Sequence, residues 1–410
     1  MTDTQETTIP AAAETVLFTP VHLPSRSHRW WAVPLTVVSI GFLAAIGVAG
    51  VLPAELVAEE VNPHTEQIEP TPFARTPSSA QPVTDRITFG ALEGVAEQYP
   101  PTGDIHFVTV TEPSQSVLSW ILGKDDPAID FLTEEEKFGV QTPEQRRVFA
   151  LESMRSSEQT AQYVALSAVG FDVEILPGDV LIQQMVCLAT DDSGTECTEW
   201  SPSDEFLDPG DRLLEADGIV LEGVEDLSRV LDDKQPGDTL DLVIDRPEVG
   251  ELEVTVVLTS SPTEPERTIV GFVPFDTREV VLPFELDIDT GRIGGPSAGL
   301  AFTLSLIDEL TPGELTGGGD VAVTGTIELD GTVGAIGGLR QKASAVRQAG
   351  VKVFIVPSAQ GDDDIAAARE AGGGDVTVIA VDNLDQALQA LQRLGGDPIE
   401  TTRVDTSAND

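Results

Sequence analysis

A run of 25 residues without a charged side chain, from Trp30 to Ala54, constrains this chain more than any other feature. It reads WWAVPLTVVSIGFLAAIGVAGVLPA and is long enough for a helix that spans a bilayer, which needs about 20 residues. Arg26 and Arg29 precede the run and glutamates follow it, so the positive-inside rule keeps the preceding residues in the cytoplasm. The sequence therefore predicts a single-pass anchor over 30–53, with the following domains on the extracytoplasmic side of the cell membrane.

Two other interpretations of this run are a cleaved signal peptide and a helix buried in a soluble core. The run is longer than the apolar segment of a signal peptide and has no convincing small-x-small cleavage site, which favours an anchor. In the favoured interpretation residues 1–29 are a cytoplasmic tail, and the lipid bilayer is a partner of the protein.

The charge balance is strongly acidic, with 70 aspartates and glutamates against 23 lysines and arginines and a formal net charge of −47. A chain this acidic repels phosphate backbones, so we expect no nucleic-acid partner. The acidity extends through segments with folded patterns, which indicates a solvated and self-repelling surface.

The two cysteines, Cys187 and Cys197, lie ten residues apart in CLATDDSGTEC. Outside the cytoplasm a disulfide across this polar loop is plausible, and loop-closure arithmetic gives it at most about 3 kcal/mol of stabilisation. Two free thiols are the alternative. We expect no metal site here, because no further cysteine or histidine lies nearby in the sequence.

Composition divides the chain between the anchor and residue 170 into two parts. Residues 54–100 are rich in Pro, Thr, Ser and Glu, as in PHTEQIEPTPFARTPSSAQP, and are predicted to be a linker. Residues 101–170 are predicted to be a small segment, with a strand over 104–112 and a long helix over 142–170 that opens on the T-P-x-Q pattern of a capping box.

Residues 171–262 combine short strands with one helix, and their most distinctive stretch is PGDRLLEADGIVLEGVEDLSRVLDD. This stretch resembles a PDZ domain of the bacterial protease-associated kind. The resemblance implies that an extended peptide adds as a strand to an exposed sheet edge, with its terminal carboxylate held by backbone amides of a loop. The loop so implied is LPGDVLI, with Gly178, Asp179, Val180 and Leu181 as peptide-binding residues; a structural domain with a closed groove is the alternative.

A Gly-Gly-Pro turn places one serine, Ser297, before an apolar run in IGGPSAGLAFTLSLIDEL. Serine is among the preferred N-cap residues, so the plain interpretation is a helix cap. However, the capping-box partner would be Leu300, which cannot return the hydrogen bond, and the flanking glycines let another chain approach closely. A serine beside the unpaired amides of a helix N-terminus can also stabilise a developing oxyanion, so Ser297 is a candidate nucleophile.

The C-terminal half of the chain, which contains Ser297, has no histidine that could act as its base, because the last histidine is His106. On a wheel of the predicted helix 339–349, at about 100° per residue, Lys342 falls inside the apolar arc. It either snorkels from the rim of that face or is buried, and burial would lower its pKa from about 10.4 toward neutrality, as a general base requires. Lys352 is a poorer candidate, since strand alternation places it opposite valines.

The segment GGPSAGLAFTLSLIDEL…GDVAVTGTIELDGTVGAIGGLRQKASAVRQAGVKVFIVPS resembles the proteolytic domain of Lon-type serine–lysine peptidases. The resemblance implies a proteolytic domain over 265–396. Within that domain it implies Ser297 as the nucleophile, Lys342 as the general base and Thr324 as a residue that steadies the pocket.

The resemblance also implies an oxyanion hole of backbone amides around Ser297 and Ala298, with Gly295 assigned to the same oxyanion or pocket region, since Pro296 has no amide proton. Two positions depart from the family. Many Lon enzymes carry an acidic residue three positions before the serine and a glutamate after the TG of the following hairpin, where this chain has Gly294 and Thr326.

The predicted fold class is α+β, with an N-terminal transmembrane helix, a PDZ-like β-rich domain, a Lon-type α/β proteolytic domain and a disordered tail over 397–410. The implied function is ATP-independent serine endopeptidase activity on flexible or unfolded polypeptides outside the membrane, because no GxxxxGK[ST] loop occurs in the sequence. No cofactor is expected, and a homo-oligomeric ring is implied by the resemblance alone. A carboxyl-terminal processing peptidase and a non-catalytic PDZ adaptor or chaperone are the alternative functions.

Overall fold

The structure is a computed structural model that describes residues 32–61, 68–138, 142–190, 197–277 and 279–399. The chain divides into two compact units, Met1–Gly50 and Val51–Asp410. The apolar run forms helix α1 (Ala32–Val51), in which Pro34–Val51 has a mean hydropathy of 2.1 and is not buried. This helix is long and apolar enough to cross a bilayer, whereas the predicted tail over 1–29 lies outside the described residues.

The other described α-helices, in chain order, are α2 (Val117–Gly123), α3 (Glu134–Phe138), α4 (Pro143–Ala168), α5 (Val224–Leu231), α6 (Gly299–Leu310), α7 (Leu339–Ala349), α8 (Asp362–Gly372) and α9 (Leu384–Arg393). The described strands of the first half are β1 (Glu59–Val61), β2 (Ile68–Pro70), β3 (Phe73–Pro82), β4 (Ile87–Phe89), β5 (Ile105–Thr111), β6 (Asp130–Leu132), β7 (Glu174–Leu176), β8 (Val180–Met185), β9 (Cys187–Thr190) and β10 (Cys197–Trp200). Those of the second half are β11 (Arg212–Ala216), β12 (Ile219–Val220), β13 (Thr239–Arg246), β14 (Gly250–Val257), β15 (Thr259–Ser260), β16 (Thr268–Ile269), β17 (Phe272–Asp276), β18 (Glu279–Val281), β19 (Leu286–Ile288), β20 (Val321–Val323), β21 (Thr326–Ile327), β22 (Val333–Gly334), β23 (Val353–Pro357) and β24 (Thr377–Val381).

A six-stranded sheet lies at the centre of the second unit, in the order β24-β23-β20-β5-β3-β6. The strands β5, β20, β23 and β24 run parallel, and β3 is antiparallel to both of its neighbours. Side chains alternate between the faces, as strand geometry requires: Val321 and Val323 join the core with α4, α6 and α9, whereas Ala322 joins the core with α7 and α8. The mixed fold predicted from the sequence is therefore observed, with helices on both faces of this sheet.

The β-rich part of the chain is inserted into this sheet-and-helix domain. We call residues 180–276 the inserted domain; it has its own core and its own sheet, in the order β14-β13-β11-β8-β17. The chain enters it after β7 and leaves it into β18, and these two strands pair with each other. Because β3, β5 and α4 precede the inserted domain and α6 and β20 follow it, the central domain is built from both sides of the insertion.

Three predicted domain boundaries are therefore wrong. Residues 101–170 are not a separate segment, since β5 pairs with β20 and α4 packs against α6. The sheet of the inserted domain continues past residue 262 to β17, and the proteolytic domain does not begin at residue 265. Strand pairing across the insertion determines the domain, and chain order alone cannot reveal that pairing.

The linker predicted over 54–100 is also wrong for the residues that the structure describes. β3 lies between β5 and β6 in the central sheet, and Ala74 and Val83 are fully buried. The ladder between β3 and β5 has a register irregularity between Pro77 and Ala80, and a bulge is one of the places where a strand accepts proline. A composition typical of a linker thus concealed a strand of the core sheet.

Several local predictions agree with the structure. α4 begins with the predicted capping box, in which Thr142 and Gln145 each bond the other's backbone amide. Cys187 and Cys197 form a disulfide that joins β9 to β10. The predicted disordered tail is wrong at its start, because the amide of Asp397 donates to the carbonyl of Glu314; residues 400–410 lie outside the described part.

Candidate active site

The turn that carries Ser297, which we call the Ser297 turn (residues 294–298), connects to the carboxyl end of β20. The carbonyl oxygen of Ser297 accepts hydrogen bonds from the amide of Gly325 and from Oγ1 of Thr324, both at 3.0 Å. Helix α6 begins two residues after Ser297, and its N-cap is Ala298. The serine side chain is therefore not the cap of this helix, and its hydroxyl is free for another role.

Lys342 projects from α7 to the hydroxyl of Ser297. Its Nζ lies 2.7 Å from Oγ of Ser297 and 3.0 Å from Oγ1 of Thr324. Lys342 is only 2% exposed, and Leu339 and Val346 on the same helix are also buried. Of the two interpretations of Lys342, the structure shows the buried one, whereas Lys352 is exposed.

Burial determines the protonation of Lys342. Removal from water disfavours the charged ammonium, and this desolvation lowers the pKa of Lys342 to about 7. A lysine with a pKa near 7 is present partly as the neutral amine at physiological pH, which a general base must be.

Thr324 orients the amine. Because the hydroxyl of Thr324 donates its own proton to the carbonyl of Ser297, its oxygen is left to accept an N–H from Lys342. With an N–H of the neutral amine directed to Thr324, the nitrogen lone pair can face the hydroxyl of Ser297. The residue that the resemblance assigned to steadying the pocket thus contacts both members of the Ser297–Lys342 pair.

The backbone amides around Ser297 differ in what they can bind. The amide of Gly295 donates to the carbonyl of Ala150 on α4 at 2.7 Å, so it cannot serve an oxyanion, and its assignment to the oxyanion hole is wrong. The amides of Ser297 and Ala298 have no acceptor among the described residues. They lie at the N-terminal end of α6, where the helix dipole also favours negative charge.

One of the two departures from the Lon pattern, Gly294, has a steric reason in this structure. Gly294 lies against α4, and a Cβ there would come within 2.8 Å of Cβ of Ala150. An acidic side chain at this position would therefore displace either the turn or the helix. Thr326 faces Gly334 across the β21–β22 hairpin, and a Cβ on that glycine would lie 2.3 Å from Oγ1 of Thr326.

Residues 290–393 match the family model of the Lon protease (S16) C-terminal proteolytic domain. This part of the chain is therefore similar to the proteolytic domain of Lon proteases. The Lon protease of Chloroflexus aggregans is 32% identical over 160 residues, which are 35% of this chain and 19% of that protein. Lon protease 2 of Thermus thermophilus is 31% identical over 160 residues, 37% of this chain and 19% of that protein. The chain therefore spans about a fifth of the length of these Lon relatives.

Two solved structures also match this chain, each over about a fifth of its length. The PDZ domain of an SdrC-like protein from Listeria monocytogenes has 18% sequence identity and a TM-score of 0.17, and the match covers 22% of this chain and 85% of that one. The PDZ domain of an SdrC-like protein from Listeria innocua has 17% identity and a TM-score of 0.17, over 22% of this chain and 92% of that one.

The peptide-binding loop predicted at Gly178, Asp179, Val180 and Leu181 is not at a free edge. Val180 and Leu181 pair with β11 on one side and with β17 on the other, and the carbonyl of Asp179 accepts from the amide of Thr277. Gly178 is packed so closely that a Cβ would lie 1.3 Å from the carbonyl oxygen of Thr277. These four residues cannot accept an added strand in this structure, and the prediction is wrong because β17 was not foreseen.

The inserted domain has a cavity of about 320 Å³ elsewhere, between α5 and the segment that leads into β17. Leu227 and Leu231 line it from α5, and Val270 and Phe272 line it from the other side. β17 is the last strand of its sheet, and its residues Phe272 and Pro274 line this cavity. The open sheet edge that the sequence predicts at β8 is thus found at β17, beside an apolar groove.

A possible metal-ligand group among the described residues lies away from the Ser297–Lys342 pair. Ligand atoms of Asp104, His106 and Asp320 lie within 4.8 Å of one another at the amino ends of β5 and β20. Thr324 follows the carboxyl end of β20, so this group is not part of the candidate active site.

Proposed function

We propose that this protein is a serine endopeptidase in which Ser297 is the nucleophile and Lys342 is its general base. The observation that carries this proposal is the 2.7 Å contact between Nζ and Oγ in a place where the lysine is 2% exposed and its pKa is lowered to about 7. The match of residues 290–393 to the family model of the Lon proteolytic domain supports the same chemistry.

In the proposed reaction, the neutral amine of Lys342 takes the hydroxyl proton as Oγ of Ser297 attacks the carbonyl carbon of a substrate peptide bond. The tetrahedral oxyanion accepts hydrogen bonds from the amides of Ser297 and Ala298. The ammonium then protonates the leaving amine, the C–N bond breaks, and an acyl ester remains on Ser297. Water attacks this ester with Lys342 again as base, which releases the second product and restores the serine.

The substrates of this proposal are flexible or unfolded polypeptides, cleaved without ATP. No GxxxxGK[ST] phosphate loop occurs in the sequence, so nothing in it suggests powered unfolding. The apolar helix α1 supports an anchor in the cell membrane, with Ser297 on the extracytoplasmic side according to the charges that flank the helix. The ring of identical subunits implied by the Lon resemblance stays a prediction.

We further propose that the groove between α5 and β17 recruits the substrate. An extended chain can add to the open edge of β17 through backbone hydrogen bonds, with an apolar side chain between Leu227 and Phe272. The lining also contains two basic residues, Lys234 and Arg267, and two acidic ones, Asp232 and Glu266, so the apolar side chains and the sheet edge carry this proposal.

The function is tested by incubating the purified protein with casein, with and without ATP. We expect internal cleavage that does not depend on ATP, and Ser297→Ala should lower the rate at least a thousandfold, since it removes the nucleophile. A fluorophosphonate probe should label the wild type on Ser297 alone, as located by mass spectrometry. Cleavage that persists in Ser297→Ala would refute the assignment, and cuts confined to carboxyl termini would favour a processing peptidase.

The inert Ser297→Ala variant also tests recruitment, because it can bind substrate without consuming it. Casein fragments should bind this variant, and adding Leu227→Arg should weaken binding about tenfold or more by placing a charge in the apolar groove. Equal binding by both variants would remove the groove from the proposal and leave the catalytic assignment untouched.

A further inference from the structure

Helix α4 holds the Ser297 turn at two points, and it does so from outside the segment that matches the Lon family model. The carbonyl of Ala150 accepts the amide of Gly295 at 2.7 Å, and Oγ of Ser157 donates to the carbonyl of Pro296 at 3.0 Å. Ala150 and Ser157 are seven residues apart, which is about two helical turns, so both face the turn from one side of α4. Ser157 itself is only 6% exposed.

The second of these contacts has a direct consequence for the amide of Ser297. The carbonyl of Pro296 and the N–H of Ser297 belong to the same peptide unit, which is planar and, in this structure, trans. In a trans unit the C=O and the N–H point in opposite directions. A hydroxyl that fixes the carbonyl on the α4 side therefore directs the N–H of Ser297 away from α4, where no described residue accepts it.

The remaining protein donor to this carbonyl cannot replace Ser157. The amide of Gly299 also donates to the carbonyl of Pro296, at 3.3 Å, but Gly299 follows directly after the Ser297 turn and would move with it. Among the described residues, only Ser157 ties this peptide unit to a separate, 26-residue helix. Ser157 also packs tightly, since a Cβ on Gly299 would lie 2.8 Å from its Oγ.

We propose that Ser157 is a positioning residue for the oxyanion hole: its hydroxyl fixes the peptide unit between Pro296 and Ser297 so that the amide of Ser297 points at the substrate oxyanion. This inference rests on the proposed function, because it assigns a partner to the proposed nucleophile turn. Ser157 touches neither substrate nor Lys342 and acts through the backbone of Pro296.

The test compares the full-length Ser157→Ala protein in detergent with wild type, counting reactive sites by fluorophosphonate labelling. We expect kcat per labelled site to fall about tenfold to a hundredfold, with KM within about twofold, because a displaced oxyanion donor weakens the transition state and not substrate binding. Affinity for a peptidyl boronate, whose tetrahedral adduct occupies the oxyanion hole, should fall by a similar factor. Ser157→Cys, which keeps a weak donor of similar shape, should lie between the two.

Ser156→Ala is the matched control, since it makes the same change on the neighbouring residue of α4 and should behave as wild type. A purely structural role for Ser157 would lower the fraction of labelled sites and leave kcat per site and boronate affinity unchanged, which would overturn the proposal. Failure of the endopeptidase assignment is a separate result, because then wild type and Ser297→Ala would be equally inactive in the same assay.

Discussion

Lys342→Met should abolish peptide hydrolysis and at the same time make the protein more stable at pH 6. Activity should fall about a thousandfold or more, because the variant keeps the buried volume but has no base for the hydroxyl of Ser297. A variant that loses activity because its fold is damaged would also lose stability. Lost activity together with increased stability would therefore show that Lys342 serves catalysis and destabilises the folded protein.

The stability gain follows from the lowered pKa of Lys342. The folded protein holds this pKa at about 7, whereas the unfolded chain has its ordinary value of 10.5. Between these pH values the unfolded chain binds more protons, so stability rises with pH across that window, and the full penalty of a buried ammonium applies below pH 7. Methionine removes a penalty of about 5 kcal/mol and leaves Thr324 without a donor, at a cost of about 1 kcal/mol, so we expect a net gain of about 4 kcal/mol.

Urea unfolding followed by circular dichroism at pH 6 and at pH 10 measures this gain. The advantage of Lys342→Met should be largest at pH 6 and should shrink toward pH 10.5. Lys352→Met is the control, because Lys352 is exposed, and it should change neither activity nor stability appreciably. Destabilisation of Lys342→Met at pH 6 would contradict a desolvated, neutral lysine.

Gly294→Asp, which restores the acidic residue common among Lon enzymes at this position, should lower activity about a hundredfold. A Cβ at this position meets Ala150 at 2.8 Å for Cβ and 3.1 Å for its carbonyl carbon and oxygen, and a helix backbone cannot yield as a flexible side chain would. The Ser297 turn must then move, and a displacement of about 1 Å can lower a rate by about two orders of magnitude. Overpacking should also cost about 1–3 kcal/mol of stability.

Casein hydrolysis and thermal unfolding are measured for Gly294→Asp and Gly294→Ala. The comparison distinguishes the effect of the added side-chain volume from the effect of the added charge. Both variants should lose activity, because the clash begins at Cβ. Gly374→Asp makes the same chemical change where the added Cβ has nothing within 4 Å, and it should remain active. Full activity in Gly294→Asp would show that the packing of α4 does not hold the turn.

The Ser297–Lys342 pair could be found from the sequence because its signals are local. The glycine-rich turn, the absence of histidine after His106 and the position of Lys342 on the apolar arc of α7 are all readable over a few residues. The resemblance to Lon added Thr324, which contacts both members of the pair.

The insertion and the positioning contacts could not be found in this way, because they depend on pairing across long stretches of chain. β5 pairs with β20 more than two hundred residues later, and Ser157 reaches Pro296 across 139 positions. A strand such as β17 carries no local mark of its partner, so the edge left open in the inserted domain was assigned to β8. The composition of β3 was misleading for the same reason, since its Pro77 lies beside an irregularity in the ladder with β5 that the sequence does not mark.

The pH dependence of serine modification reports on the base, but two carboxyl groups among the described residues share its pKa range. Burial raises the pKa of Glu158 on α4 and of Asp308 on α6 to about 7, the value to which burial lowers that of Lys342. If Lys342 is the base, the rate of serine modification should rise with pH through the same pKa in Glu158→Gln and in Asp308→Asn as in the wild type.

The most direct measurement changes the amine itself. Lys342→Cys alkylated with 2-bromoethylamine rebuilds the side chain with sulfur in place of one methylene, and the sulfur makes the amine more acidic than that of lysine; the two native cysteines are held in a disulfide. We predict that the rate of fluorophosphonate modification of Ser297 rises with pH through a pKa of about 7 in the wild type and through a lower pKa in the alkylated protein. A modification rate that rises through the same pKa in both proteins would contradict the account, because the proton that controls Ser297 would then belong to another group.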